Sequence, residues 1–301
     1  MFGVTILGNN SALPAHGRHP TAQAVTLGNE ILLIDCGEGT QMQLADYKVK
    51  KNRINHIFIS HLHGDHYFGL IGLLTSMALL GRTQPLHVYA HSDLKAILDL
   101  QLKVSGSFSP YAFHFHVLGE DGILLDEEKF TVESFRVYHR IECWGFIIRE
   151  KNKPRHINPV AVKAYDVPRE YFAALQQGHD FISPDGVMVD NTLLTYAADP
   201  SLSYAYSGDT LFNEVVAEKV KGVHTLYHEA TYLKDGHARA NLHYHSTTEQ
   251  AATIAKMAGV NRLLVGHFSS KYEDLGSFEQ EARDVFPNTS LALEGSTYII
   301  Q

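Results

Sequence analysis

The chain has 301 residues, 45% of them hydrophobic, and a formal net charge of -8 at pH 7. That is enough apolar material for a sizeable core in one large domain or two small ones, and no apolar stretch approaches the roughly 18 to 20 residues that cross a bilayer. The negative total argues against indiscriminate binding of polyanions, whose affinity is assembled from lysine and arginine contacts with phosphate, so any nucleic-acid surface has to be local.

Residues 2–7 alternate as a first strand, and the start lacks the positive region and small-residue cleavage site of a signal peptide. A loop through Gly8, Pro14, Gly17 and Pro20 leads to strands at 24–27 and 31–35 flanking Gly28-Asn29, a hairpin signal. Asp35 ends the second strand, where spacing alone fits a turn or cap aspartate as well as a functional one. Residues 38–47 read as a helix, 54–60 as a buried central strand and 66–80 as an apolar helix. Between these last two lies Ser60-His-Leu-His-Gly-Asp-His66. His61 and His63 are two apart, so on an extended segment they project to one side and can reach one ion. Gly64 lets the backbone turn, and Asp65 and His66 then point from the first turn of the following helix toward a second ion. Imidazoles and a carboxylate without thiolate suit zinc, with manganese or iron also open.

Residues 86–90 read as a strand, 94–104 as a helix and 113–117 as a strand whose His114 and His116 share an exposed face. Strand 130–137 delivers His139, a position that taken alone reads as structural. Residues 150–192 then break the pattern: 151–159 is polar and proline-containing, and 171–177 is a short helical run stopped by Gly178. Such an insertion suits a binding arm, a lid or a dimer clasp. Strand 203–207 runs into Gly208-Asp209-Thr210, helix 213–220 follows, and strand 225–229 ends in His228-Glu-Ala-Thr231. Ser246 or Thr247 can cap a helix reaching Ala258. Strand 262–266 leads into His267, and helix 277–286 with strands 291–293 and 297–300 completes the order. Cys36 and Cys143 lie far apart in apolar segments, which reads as two reduced buried thiols and a cytoplasmic protein. Basic residues concentrate in Lys48-Val-Lys-Lys-Asn-Arg53 and Arg149-Glu-Lys-Asn-Lys-Pro-Arg-His156, each of which taken alone reads as a solvated face.

His61-Leu-His-Gly-Asp-His66 resembles the signature of the metallo-β-lactamase superfamily of hydrolases. With Asp35-Cys-Gly-Glu-Gly-Thr-Gln41 before it and Phe68-Gly-Leu-Ile-Gly-Leu-Leu-Thr-Ser76 after it, the chain is similar to one branch, the ribonuclease Z family. The resemblance runs over most of the chain. It implies an α/β fold, a four-layer αβ/βα sandwich forming a single domain over 1–301, with a protruding tRNA-binding arm at about 150–192. It implies two Zn2+ per subunit, with Mn2+ or Fe2+ as alternatives: His61, His63 and His139 on one ion, Asp65, His66 and His267 on the other, and Asp209 shared. Asp35 would support a ligand histidine.

The activity implied is endonucleolytic removal of the 3′ trailer from precursor tRNA, leaving a tRNA 3′-hydroxyl and a 5′-phosphate on the trailer. Asp65 would orient the attacking water or take its proton, and His245, with Glu229 holding its other nitrogen, would protonate the leaving oxygen. Lys271 and the entry to the insertion, Lys151, Lys153 and Arg155, are the expected phosphate contacts. A homodimer whose arms serve the neighbouring subunit is also implied. The chain departs from the family pattern at Arg140, where glycine is expected, and at Arg169-Glu-Tyr-Phe172, where a glycine-proline stretch is expected. Two other readings stay open. One is a small-molecule metallohydrolase, a phosphodiesterase or thioesterase, since seven ligands do not choose between a carbonyl and a phosphodiester. The other is a silent nucleic-acid-binding homologue, which the complete ligand set disfavours.

Overall fold

Along Glu30–Ile34, Ile31 and Leu33 point to one side and Leu32 and Ile34 to the other, and all four are buried. A strand buried on both faces needs a layer above and a layer below. A computed structural model of the chain, which describes residues 1–107 and 111–301, supplies them. The larger of two compact units comprises residues 1–126, 132–148 and 203–301; the smaller comprises 127–131 and 149–202.

The larger unit holds two mixed seven-stranded sheets. In the first, the order is Thr297–Ile299, Phe2–Gly8, Ala22–Leu27, Glu30–Ile34, Ile54–Phe58, Leu86–Ala90 and Phe113–Val117. In the second it is Thr289–Leu291, Arg262–Gly266, Thr225–Glu229, Ser203–Tyr206, Cys143–Glu150, Phe130–Val137 and Gly122–Asp126. One face of the first sheet, with Ile31, Leu33, Ile57 and Val88, packs on Leu70, Leu73 and Met77 of a covering helix. One face of the second, with Ala205, Leu226 and Leu263, packs on Val216, Ala251 and Phe278 of three others. The remaining faces meet each other: the Phe58 and Phe146 rings lie 5.5 Å apart, the Tyr204 hydroxyl donates to Gln23, and the Tyr206 hydroxyl donates to Asp35 Oδ2 at 2.7 Å. The layers therefore run helix, sheet, sheet, helix, the α/β sandwich expected from the sequence.

Ser203–Tyr206, Thr225–Glu229, Arg262–Gly266 and Thr289–Leu291 run parallel, as do Glu30–Ile34, Ile54–Phe58, Leu86–Ala90 and Phe113–Val117. Parallel strands bring their carboxyl ends to one edge, where loops can collect side chains from distant parts of the chain. The segments after Phe58, Tyr206 and Gly266 carry His61, Asp209 and His267.

Several elements differ from the sequence reading. The single helix expected over 66–80 is two, Gly64–Tyr67 and Leu70–Leu79. Gly69 N–H donates to the Cys36 carbonyl at 2.9 Å, and a Cβ there would sit 2.1 Å from the Gly37 carbonyl oxygen, so the backbone itself is in contact at the break. The last strands lie at Thr289–Leu291 and Thr297–Ile299. Unanticipated were Gly122–Asp126, which is short and largely exposed, and Cys143–Glu150, an apolar run with no alternation to betray it. Helix His237–His243 was also missed. Of the two candidate caps for Thr248–Ala258, Thr247 is the N-cap, in a reciprocal capping box with Gln250.

The smaller unit has a core of its own, built from Val162, Val167, Leu175, Phe181, Val189 and Leu194. Its α-helices are Pro159–Ala164, capped by Asn158 with proline at the first turn, Phe172–Gln176, and Asn191–Leu194, capped by Asp190. Gly178 follows the second with φ of 94°, a conformation glycine adopts without strain. Cys36 and Cys143 are both buried and free. Among the described residues no helix is long and apolar enough to cross a membrane.

Candidate metal centre

The turn after Ile54–Phe58 and the short helix Gly64–Tyr67 put four ligand-type side chains in one place by local geometry alone. His139 arrives from the end of Phe130–Val137, Asp209 from the loop after Ser203–Tyr206 and His267 from the loop after Arg262–Gly266. The result is two adjoining groups, His61, His63, His139 and Asp209 in one and Asp65, His66 and His267 in the other. Asp209 Oδ2 lies between them, 3.6 Å from His61 Nε2, 3.2 Å from His66 Nε2 and 3.3 Å from His267 Nε2. Asp65 Oδ2 is 3.6 Å from His66 Nε2 and 3.4 Å from His267 Nε2, and accepts the Ala12 N–H at 2.7 Å. Asp209, His245 and His267 form a further overlapping group.

Outside these ligand atoms lies a layer of acceptors. Asp35 Oδ2 is 2.7 Å from His66 Nδ1, while its other oxygen accepts the Ser60 N–H at 2.7 Å. Ser60 Oγ lies 3.0 Å from His61 Nδ1, the Tyr244 carbonyl 2.8 Å from His139 Nδ1, and Thr231 Oγ1 3.0 Å from His267 Nδ1. Glu229 Oε2 accepts from the Thr231 hydroxyl at 2.8 Å, and Oε1 is 2.9 Å from His245 Nδ1. Such partners fix which ring nitrogen keeps its proton and so which one faces the cluster. Asp35 and His267 hold φ of 57° and 61°, left-handed values that cost a non-glycine residue about 1–2 kcal/mol.

The donor set suits divalent cations. Burial and the neighbouring imidazoles push His61 well down and His63 to about 4, and burial lowers His139, keeping them neutral as ligands must be. Burial opposes ionisation of Asp65, but His66 and His267 outweigh it and hold its carboxyl below the ordinary range. The same contest at Asp209 ends the same way. His66 is the counterweight: burial would lower it, yet Asp209, Asp65 and Asp35 hold it well above its usual value. Asp209 Oδ1 is buried with no hydrogen-bond partner among the described residues, an anionic oxygen whose missing partner a cation would supply. A cavity of roughly 460 Å³ opens over the cluster, and His63, Asp65, His139, Arg140, His245 and His267 are among its lining.

The other singled-out residues lie as follows. His228 turns away, its Nδ1 2.7 Å from the Glu229 carbonyl, so Glu229 and Thr231 are the members of that motif that reach the site. Lys271 Nζ stacks 5.0 Å from the Tyr272 ring, next to Ser270 of the cavity wall. Lys153 pairs with Glu150 at 2.8 Å, and Arg155 Nε donates to Thr195 Oγ1 at 2.7 Å, both within the smaller unit. His114 is exposed and His116 half-buried, and both join a ring stack with His87. His87 Nδ1 and His116 Nε2 are 2.9 Å apart, as are His61 Nε2 and His63 Nδ1. The His87 and His116 rings lie near-parallel, at 15° with centroids 5.2 Å apart, and share one N–H to N hydrogen bond. The His61 and His63 rings meet at 83° with centroids 4.7 Å apart, converging on a point. Sequence reasoning gave no role to Ser60, Tyr206 and Tyr244, because hydroxyls and carbonyls carry no ligand spacing; Arg140 it marked only as a departure from the family pattern, and Thr231 only as a member of the His228-Glu-Ala-Thr231 motif.

Comparison with known proteins adds three findings. A family model described as Anti-Pycsar protein Apyc1 matches residues 2–153. Ribonuclease Z of Bacteroides fragilis (strain YCH46) is 43% identical over 295 residues, covering 97% of this chain and 97% of its own, and that of Porphyromonas gingivalis (strain W83) is 39% identical with the same coverage. The crystal structure of the short form of human tRNase Z superposes with a TM-score of 0.72 at 26% identity, over 99% of each chain. A metallo-β-lactamase fold protein from Bacillus subtilis, YhfI, shares the fold at a TM-score of 0.69 and 20% identity. With near-complete coverage on both sides at such identity, and a sandwich whose strand ends gather imidazoles and carboxylates, the chain belongs to the ribonuclease Z family of the metallo-β-lactamase fold.

Proposed function

We propose that this protein is a metal-dependent endoribonuclease that cuts the 3′ trailer from precursor tRNA, leaving a 3′-hydroxyl on the tRNA and a 5′-phosphate on the trailer. The observation that carries the reading is the convergence of His61, His63, His139 and Asp209 with Asp65, His66 and His267 around one shared carboxylate, beneath an open cavity. Two zinc ions are the cations we assign, three imidazoles and Asp209 on one, Asp65, His66, His267 and Asp209 on the other. When bound, such a pair supplies a nucleophile ionised from water near neutrality and offsets charge building on the phosphate oxygens. Asp65 orients the attacking water, with Oδ2 anchored by the Ala12 N–H. Asp35 and Thr231 hold His66 and His267 in the tautomer that leaves Nε2 free. His245 is the general acid for the departing 3′ oxygen: burial would lower it, but Glu229 at 2.9 Å holds it up to about 9, so it carries the proton it has to give. Cations beside it will lower that value.

The smaller unit, residues 127–131 and 149–202, contains the insertion at about 150–192 that we assign as the arm gripping the tRNA body. Lys163 and Arg169 are exposed on this unit, and the Lys151 to Arg155 stretch forms its entry. The enzyme works in the cytoplasm as a homodimer whose arms serve the neighbouring subunit. The test is one preparation assayed three ways: metal content by atomic emission, cleavage of a precursor tRNA carrying a 3′ trailer, and hydrolysis of bis(p-nitrophenyl) phosphate. We expect about two cations per chain and a single cut at the trailer junction. A metal-loaded protein that splits the small diester but leaves the precursor whole would transfer the assignment to a small-molecule phosphodiesterase.

A further inference from the structure

Five imidazoles face the cluster, and four of them rest their outer nitrogen on an acceptor: Ser60 Oγ, Asp35 Oδ2, the Tyr244 carbonyl and Thr231 Oγ1. His63 is the exception. Its Nδ1 faces inward, 2.9 Å from His61 Nε2 and 3.1 Å from His139 Nε2, and its outer Nε2 lies 3.0 Å from Nη2 of Arg140. An imidazole that gives one nitrogen's lone pair to a cation keeps its proton on the other. Once Nδ1 is a ligand, His63 presents an N–H to a guanidinium that only donates. Two donors cannot share a hydrogen bond, so the contact belongs to the cation-free chain alone. Arg140 is exposed, lines the cavity, and has no other hydrogen bond or ion pair among the described residues. Cation binding therefore leaves a planar five-donor group unpartnered at the mouth of the site. Such a fork matches phosphate oxygens in pairs, which a lone ammonium does not.

We propose that Arg140 is a phosphate-binding residue, set free from His63 when the cations bind and then holding a phosphodiester of the RNA strand in the cavity. This rests on the ribonuclease reading above for the identity of the strand, though not for the phosphate. Binding is ordered by the chemistry: cations first, phosphate second. Without cations the guanidinium stays on His63 and the cavity holds phosphate weakly.

The test uses Arg140→Gln and Arg140→Lys in the metal-loaded full-length protein, with inorganic phosphate as inhibitor and both bis(p-nitrophenyl) phosphate and precursor tRNA as substrates. Arg140→Gln should weaken phosphate inhibition and raise KM for both substrates about tenfold, the usual loss for a charge-assisted contact, with cation content retained. The dependence of log KM for precursor tRNA on log salt should shallow by about one. Arg140→Lys should recover part of the affinity, as charge remains and the fork does not. Unchanged inhibition and KM in the glutamine variant would overturn the proposal. Lost cations would overturn it too, making Arg140 a support for His63. If wild-type protein spares precursor tRNA while the phosphate and small-diester effects persist, the RNA reading fails and the phosphate contact stands.

Discussion

His245 and Asp35 touch the same cluster from different sides. His245 is held by Glu229 at 2.9 Å and lines the cavity, so it can meet substrate. Removing it as His245→Ala should slow precursor cleavage by about a hundredfold or more while leaving cation content intact; single-turnover kinetics beside metal analysis reads both. Lost cation would make it a ligand, which its grouping with Asp209 and His267 allows. Asp35 accepts from Ser60 N–H, the Ser60 hydroxyl and the Tyr206 hydroxyl, and lies against His66. Asparagine there turns one acceptor into a donor facing donors. Asp35→Asn should weaken cation affinity by about 10- to 100-fold, read by competition with a chelator. The Asp35 assignment was open to sequence reasoning because the residue closes a strand beside a recognisable motif. Its hydroxyl partners were not, since serine and tyrosine occur everywhere and only their direction makes them supports.

At the scale of the element, the stretch from His66 to Leu80 is instructive. Its apolar run has helical character throughout, and nothing in the composition marks Gly69 as a break. The break follows from the backbone of Cys36 and Gly37 packing against Gly69, a neighbour thirty-odd positions away in the sequence. Gly69→Ala should therefore destabilise the fold by about 3 kcal/mol, since a methyl group at 2.1 Å from a carbonyl oxygen forces the turn to move. Thermal denaturation of the loaded protein measures it, with loss of cation affinity expected alongside, because Cys36 follows Asp35 directly. The cap of Thr248–Ala258 was narrowed by sequence to two residues, and geometry chose Thr247.

For the whole molecule, the histidines outside the metal centre set a limit on acid tolerance. His56 and His87 are register partners on neighbouring strands of the first sheet, and the His116 ring of the next strand lies against His87, whose own partner there is His114. Burial lowers all three, and neighbouring imidazoles add to it, His87 and His116 at His56, His114 and His116 at His87, and His114 at His116, with Arg82 acting on His56 as well; His56 falls to about 4. A base whose folded value is depressed binds fewer protons folded than unfolded between the two values. Stability should thus be complete above the ordinary histidine value near 6.5 and fall as pH drops from there toward 4, by on the order of 2 kcal/mol for His56. Denaturant titrations across that window should show the slope, and His56→Gln should flatten it. The active-site histidines make the same measurement cleaner in protein kept saturated with cation.

Sequence alone determined the four ligand-type side chains from His61 to His66, because they lie within six positions and local backbone geometry places them whatever the rest of the chain does. The layer pattern followed from the family resemblance rather than from alternation, since strands such as Glu30–Ile34 and Cys143–Glu150 are buried on both faces. Tertiary structure decided everything that joins distant segments: that Asp209, His139 and His267 meet those four, that Thr231 links Glu229 to His267, and that Arg140 sits against the one imidazole with no acceptor behind it. Which strands lie side by side is a matter of packing among all residues at once, and a contact between residues two hundred positions apart leaves no trace in the spacing of either.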